Sequence, residues 1–281
     1  MRNRIILFSL IIMMITGCDL NNDKQSNMDD VKIQLIRNAT MKITYAGKTI
    51  LADPMLSPKG ELEAFAGKEK NPTVELPIPH YEVVEGIDCV IISHTHPDHF
   101  DEAASDNLPK EIPVFCQAID VELLTGQKFQ NIHPIETSYE WEGITITRTS
   151  GDHGSGEILK HMGEVSGFVL QAEGKPTIYW IGDCIWTPEI EDNIKKFKPE
   201  IIITHSGGAI IPGFEQTPIL MNENETIEVA KAAPNAKVVA IHLESLDHCR
   251  VSRASLRQIA DKYGVGKERL LIPNDGETLI F

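Results

Sequence analysis

Residues His94-Thr95-His96-Pro97-Asp98-His99 put three imidazoles and one carboxylate into six positions. Imidazole nitrogen and carboxylate oxygen are ligands for zinc, and for a harder divalent ion such as manganese or iron. A lone pair of histidines two apart is often just surface. The whole HxHxDH string directly follows the apolar run Ile87–Ser93, where a tight turn bends successive side chains to one side. Three more candidates stand at the ends of apolar runs: His153 in Ser150-Gly151-Asp152-His153-Gly154, Asp183 in Ile181-Gly182-Asp183-Cys184, and His242 after Val238-Val239-Ala240-Ile241. Any one of them alone reads equally well as a turn residue. Their shared pattern, strand and then polar ligand in a tight turn, points to one metal centre built from several strand ends. His205, in Thr204-His205-Ser206-Gly207-Gly208-Ala209, and His248, six residues after His242, are candidates to line the pocket or to support a ligand. The glycine pair beside His205 would let backbone amides approach a ligand. His80, His133 and His161 lack such a context. Trp180 reads as core and Trp186 as a candidate pocket wall.

Such a centre needs a rigid frame, and the apolar pattern supplies one. Short β-type runs at Val31–Arg37, Met41–Ala46 and Lys48–Ala52, with Gly47 in a turn, predict a meander. Further strands are predicted at Ile87–Ser93, Trp141–Thr149, Val165–Gln171, Thr177–Ile181, Ile201–Thr204 and Lys237–Ile241. Helices are predicted at Pro188–Phe197, Asn222–Ala233 and Ser252–Tyr263. Asn222 and Glu225 stand in capping-box spacing, and Gly264 is a stop for the last helix. The Pro-, Gly- and Lys-rich stretch Asp53–Glu85 reads as a long surface loop, a feature usually functional in a compact domain. Strands first, then strands alternating with helices, predict a sheet sandwich with helices packed outside.

With these residues in place, the chain resembles the metallo-β-lactamase superfamily, and within it the UlaG-like branch of metal-dependent hydrolases. The resemblance rests on the HxHxDH string followed by His153, Asp183 and His242 in the order His, Asp, His. Ala52-Asp53-Pro54 resembles the branch's early Asp-Pro, and the likeness covers Val31 to Phe281. It implies an α+β fold, a four-layer αββα sandwich with two metals at one edge between the sheets. By position it also implies that one metal is held by His94, His96 and His153 and the other by Asp98, His99 and His242, with Asp183 bridging. Asp53 would orient a ligand rather than bind metal. Arg37-Asn38-Ala39-Thr40 departs from the pattern, since many relatives carry histidine in this region. Cys184 adjoins the bridge and reads as pointing away, because Asp183 is present.

Charge then suggests the chemistry. Two divalent ions, most simply Zn2+ with Mn2+ or Fe2+ as substitutes, acidify a bridging water to hydroxide near neutral pH. Asp98 is the expected catalytic residue, orienting that nucleophile and relaying its proton. After Asp98, Asp183 and the hydroxide, about one net positive charge remains, which favours a small, anionic ester, phosphodiester or lactone. A β-lactam hydrolase, and a metal- or ligand-binding lipoprotein without turnover, are the alternatives. A flavodiiron-type redox protein would need a Glu-containing ligand string and a flavin module that this chain lacks.

The 281 residues carry 26 Lys and Arg against 41 Asp and Glu, a net charge of -15, which argues against nucleic acid as partner. Arg2 and Arg4 precede the apolar run Ile5–Ile15, which as a helix would cover only about 16 Å of a hydrocarbon core about 30 Å thick. That is a signal peptide, and Ile15-Thr16-Gly17-Cys18 is similar to a bacterial lipobox with Cys18 as the lipidation site. The expected organisation is a leader at 1–18, a polar tether at 19–30 and a hydrolase domain at 31–281. The protein is thus expected to be exported and lipid-anchored, facing the periplasm or cell exterior, with a small molecule as substrate. Cys89, Cys116, Cys184 and Cys249 have no metal-knuckle or CxxC spacing.

Overall fold

The computed structural model describes residues 31–281, so the segments read as leader and tether, with Cys18, lie outside the described residues. The chain runs β1 (Lys32–Arg37), β2 (Thr40–Tyr45), β3 (Lys48–Ala52), α1 (His80–Val84), β4 (Cys89–Ile91), α2 (Glu102–Asn107), β5 (Val114–Cys116), α3 (Val121–Gly126) and β6 (Ile132–Pro134). It continues through β7 (Ser138–Trp141), β8 (Ile144–Gly151), α4 (Leu159–Met162), β9 (Val165–Gln171), β10 (Ile178–Trp180), α5 (Pro188–Phe197) and β11 (Ile201–His205). The remaining elements are α6 (Glu223–Ala232), β12 (Lys237–Ile241), α7 (Arg253–Lys262), β13 (Leu270–Leu271) and β14 (Thr278–Ile280).

Two seven-stranded sheets result, in the orders β14-β1-β2-β3-β4-β5-β6 and β13-β12-β11-β10-β9-β8-β7. Each begins as an antiparallel meander and continues with parallel strands from β3 to β6 and from β10 to β13. Alternation along the strands explains the layering. Phe168, Trp180, Ile203 and Val239 meet Ile33, Ile43, Ile91 and Phe115 between the sheets. Their neighbours Val169, Tyr179, Ile202 and Val238 face the other way, against Ile190 and Ile194 of α5, Ile227 and Ala230 of α6 and Leu256 of α7. On the far side, Leu51, Val90 and Val114 pack on Val83 of α1, Ala104 of α2 and Leu124 of α3. The result is the four-layer αββα sandwich.

Sequence and structure differ in detail. Trp141–Thr149 is no single strand: the two-residue turn Glu142-Gly143 folds β7 back on β8. The long loop after β3 carries the short helix α1 and one isolated bridge, Leu62 to Asn71. The two- and three-residue strands β5, β6, β13 and β14 escaped prediction because so few residues show no period.

Candidate metal centre

The parallel strands deliver the chemistry to a common edge. His94 follows β4, His153 follows β8, Asp183 follows β10, His205 ends β11 and His242 follows β12. Left-handed residues gather at this edge: Asp53, just after β3, has φ 42°, His242 φ 62° and Asn38, just after β1, φ 59°. Such conformations are unfavourable for residues other than glycine and cluster at functional sites. Gly182 takes φ 78° just before Asp183, and a Cβ there would lie 2.4 Å from the carbonyl oxygen of Ser166. The string His94–His99 is a turn closed by amides of His99 and Phe100 donating to the carbonyl of His96. Asp101 then caps α2 and also accepts from the amides of Leu56 and Ser57, pinning the start of the long loop.

Two groups of side chains converge, each with ligand atoms within 4.8 Å of one another: His94, His96 and His153, and beside them His99, Asp183, His205 and His242. His94 Nε2 lies 2.9 Å from His96 Nδ1, and His99 Nε2 lies 3.3 Å from His242 Nε2. Asp183 stands between the groups, with Oδ2 at 3.1 Å from His99 Nε2 and 3.5 Å from His153 Nε2. Asp98 Oδ2 lies 3.4 Å from His242 Nε2 and 3.8 Å from His99 Nε2.

The outer nitrogens fix which atoms face inward. His99 Nδ1 donates to Asp53 Oδ2 at 2.6 Å. Ser93 Oγ also donates to that oxygen, at 2.6 Å, and therefore accepts from His94 Nδ1 at 3.0 Å. Asp53 thus orients one ligand of each group. His153 Nδ1 donates to the carbonyl of Ile219, and His242 Nδ1 faces the Cys249 thiol at 3.6 Å. These hydrogen bonds leave Nε2 of His94, His99 and His153 facing the centre, the atom an imidazole ligand would present. His205 differs. Trp180 Nε1 donates to its Nε2 at 2.9 Å, so Nδ1 carries the proton given to Asp183 Oδ1. With both nitrogens engaged, His205 positions Asp183 and neither binds metal nor lines the pocket.

Electrostatics divide the centre. Burial, reinforced by His99 and His96, holds His94 well below its ordinary pKa, and burial pushes His153 down to about 4. Burial alone would lower His99 and His242 too. Asp183, Asp53 and Asp98 outweigh it at His99, which lies well above the usual imidazole value. Asp183, with contacts to Asp98 and Cys249, raises His242 to about 10. Against their own burial, Asp98 and Asp183 are held well below the carboxylate range, chiefly by His99 and His242. Buried carboxylates here draw protons onto two inward-facing imidazoles. That donor set fits a divalent cation, which would take the place of those protons.

Other sequence-predicted residues sort plainly. Cys184 and Trp186 pack in the helical layer, away from the centre, so Trp186 is not a pocket wall. The Gly207-Gly208 pair serves packing rather than a ligand: a Cβ on Gly207 would strike the carbonyl oxygen of His242 and the Cys249 sulfur. Asn38, an unmatched position in the sequence, holds the centre from below. Its Nδ2 donates to the carbonyl of Asp98 and its own carbonyl accepts from the amide of His242. Ser93 and Cys249 carried no spacing signal. His248 lines a cavity of about 300 Å3 together with His96, Asp98, His153 and Asp183. Its remaining walls are Phe65, Pro97, Met162, Ile211, Pro212 and Ile219, with no Lys or Arg among the lining residues.

Residues 48–243 match the model of the Beta-lactamase superfamily domain. The chain belongs to this superfamily. Within the superfamily, the chain is 36% identical over 257 residues to the UPF0173 protein YddR of Bacillus subtilis, covering 89% of this chain and 100% of that one. A possible metal-dependent hydrolase from Veillonella parvula superposes with a TM-score of 0.85 at 33% identity, over 89% of this chain and 99% of the other. An isothiocyanate hydrolase from Delia radicum gut bacteria superposes with a TM-score of 0.82 at 37% identity, over 89% and 98% of the two chains. This superfamily member is a metal-dependent hydrolase with the metallo-β-lactamase fold, and its His/Asp cluster could hold metal.

Proposed function

We propose that this protein is a dinuclear hydrolase of small electrophiles with an apolar body, with isothiocyanates the leading class. The observation that carries this reading is the pocket: mostly apolar side chains, with no Lys or Arg among the lining residues, lead down to His96, Asp98, His153 and Asp183. The similarity to an isothiocyanate hydrolase over nearly the whole of both chains supports the same class. The sequence argument for an anionic ester, phosphodiester or lactone rested on the charge of the metals alone, and the walls add no cation to it. His94, His96 and His153 would hold one ion, and Asp98, His99 and His242 the other, with Asp183 between. Bound there, two divalent ions would supply a water acidified toward neutral pH and positive charge to offset the charge that develops on the substrate.

The chain's own residues do the rest. Phe65, Met162, Ile211 and Ile219 seat the organic group and exclude bulk water. Asp98 orients the attacking water, accepts its proton and passes it on. For an isothiocyanate, water adds across the carbon–nitrogen bond: oxygen bonds carbon and the proton reaches nitrogen. In the thiocarbamic acid so formed, the O–H proton moves to nitrogen as the remaining carbon–nitrogen bond breaks, giving amine and carbonyl sulfide.

The test is a panel of benzyl and phenethyl isothiocyanates, a phosphodiester, a lactone and a β-lactam, offered to zinc- and manganese-loaded protein. Isothiocyanate loss with matching amine release is the expected result. Turnover confined to the phosphodiester or lactone would overturn the substrate class, and no turnover by fully loaded protein would favour a binding lipoprotein. We propose in addition that the chain is exported and lipid-anchored at Cys18, on the strength of Arg2, Arg4, Ile5–Ile15 and Ile15-Thr16-Gly17-Cys18. Among the described residues no helix is long and apolar enough to cross a membrane.

A further inference from the structure

Among the described residues, His248 is the histidine with an enclosed ring nitrogen that has no hydrogen-bond partner. It is 5% exposed, and its Nδ1 is enclosed without a partner. By contrast His94, His99, His153, His205 and His242 each have an outer nitrogen engaged by Ser93, Asp53, the Ile219 carbonyl, Asp183 and Cys249. A buried polar atom left unpaired costs about 1–3 kcal/mol, so an uncompensated imidazole calls for a reason. His248 belongs to neither ligand group. Its ring lines the cavity, and with Nδ1 enclosed, Nε2 is the nitrogen open to a bound molecule.

The ring is also held firmly. Phe65 meets it edge-on, with centroids 5.3 Å apart and planes at 89°. The preceding residue, Asp247, accepts hydrogen bonds from the amides of Phe65, Ala66 and Lys68 and from Asn71 Nδ2. Its own amide donates to Asn71 Oδ1 at 2.8 Å. The long loop after β3 is thereby laced to the segment carrying His248. An enclosed N–H without an acceptor is rarer than an enclosed lone pair, so the ring carries its proton on Nε2, the nitrogen that faces the cavity.

We propose that His248 is a substrate-contacting hydrogen-bond donor: its Nε2–H binds the heteroatom beside the attacked carbon, while Phe65 and Asp247 hold the ring in place. For the thiocarbonyl substrates of the preceding section, and resting on that reading, this is the atom that gains negative charge as the carbon is attacked. A placed donor at such an atom is worth about 10²–10³-fold in rate.

The test compares wild type, His248→Phe and His248→Gln in the metal-loaded protein, with metal content and Tm checked for each. N-phenethylthiourea, which carries an acceptor, and ethylbenzene, which has none, serve as unreactive probes by calorimetry. His248→Phe should weaken thiourea binding by about 2- to 10-fold, as loss of one neutral hydrogen bond requires, and leave ethylbenzene unchanged. Turnover of phenethyl isothiocyanate should fall by about 10²-fold, mostly in kcat. His248→Gln should recover part of both. Unchanged thiourea affinity and turnover in His248→Phe would overturn the proposal. So would loss of metal in both variants, which would make His248 a support of His242 instead. If wild type turns over no isothiocyanate, the substrate reading fails, while the comparison of the two probes still decides the role of His248.

Discussion

Asp98 is buried and presents its Oδ2 to both His242 and His99. Asp98→Asn keeps the shape and one oxygen but removes the charge that orients water and takes its proton. General acid–base contributions of this kind are worth about 10²–10⁴-fold, so kcat should fall at least 10²-fold, with weaker metal at that position. Steady-state kinetics with metal analysis of the same sample check this, and an Asn variant with full metal and wild-type kcat would remove Asp98 from the chemistry. A second residue-scale expectation concerns protons. His99 and His242 lie above the ordinary value of 6.5, so without metal both are protonated at neutral pH, and a bound cation must displace those protons. Apparent zinc affinity should therefore rise from about pH 6 to about pH 8, with proton release visible as a buffer-dependent heat. In the metal-free protein the sign of the stability effect is opposite. The raised His242 stabilises the fold below pH 6.5, and that contribution fades as pH climbs through about 10. Zinc binding with no proton release would sink this account.

At the scale of elements, the centre depends on where the parallel strands stop. Asp183 reaches it because β10 ends in a left-handed Gly182 packed on the β9 backbone at Ser166. Gly182→Ala combines a disfavoured φ with a Cβ 2.4 Å from a carbonyl oxygen that cannot swing aside. The cost should be about 1–3 kcal/mol, and relief of the clash would move Asp183. The measurement is urea unfolding alongside metal stoichiometry. An Ala variant with wild-type midpoint and two ions would show that the strand end is not what places Asp183.

For the whole molecule, the candidate ligands come from both halves of the sandwich, so a bound metal would tie the two sheets together. A metal at about 1,000 times its Kd stabilises by about 4 kcal/mol, which at about 2–4 °C per kcal/mol for a chain of this size raises Tm by about 10 °C. Chelation followed by calorimetry checks it, and a Tm that ignores chelator would mean that the centre does not couple the sheets. Cys18→Ser should move the protein from the membrane fraction to the soluble one, or stall its export, with the fold intact. Recovery of wild-type protein in the soluble fraction with an unmodified Cys18 thiol would end the lipoprotein reading.

Much of this was legible in the residues themselves. The HxHxDH string, the ligands placed after apolar runs and the alternation of the longer strands are local properties, written in side-chain type and spacing. The elements Val165–Gln171, Pro188–Phe197 and Lys237–Ile241 needed nothing more. Other features depend on pairs that only chain closure brings together. Asp53 and Ser93 are 40 residues apart, yet their contact joins the two ligand groups. Phe65 and Asp247 are 182 apart, and their bond seals the pocket wall against His248. Trp180 sets the tautomer of His205 across 25 residues, which makes this histidine a support for Asp183 rather than a pocket wall. A hydrogen bond's partner and a pocket's polarity depend on which distant surfaces meet, and no local pattern encodes that meeting.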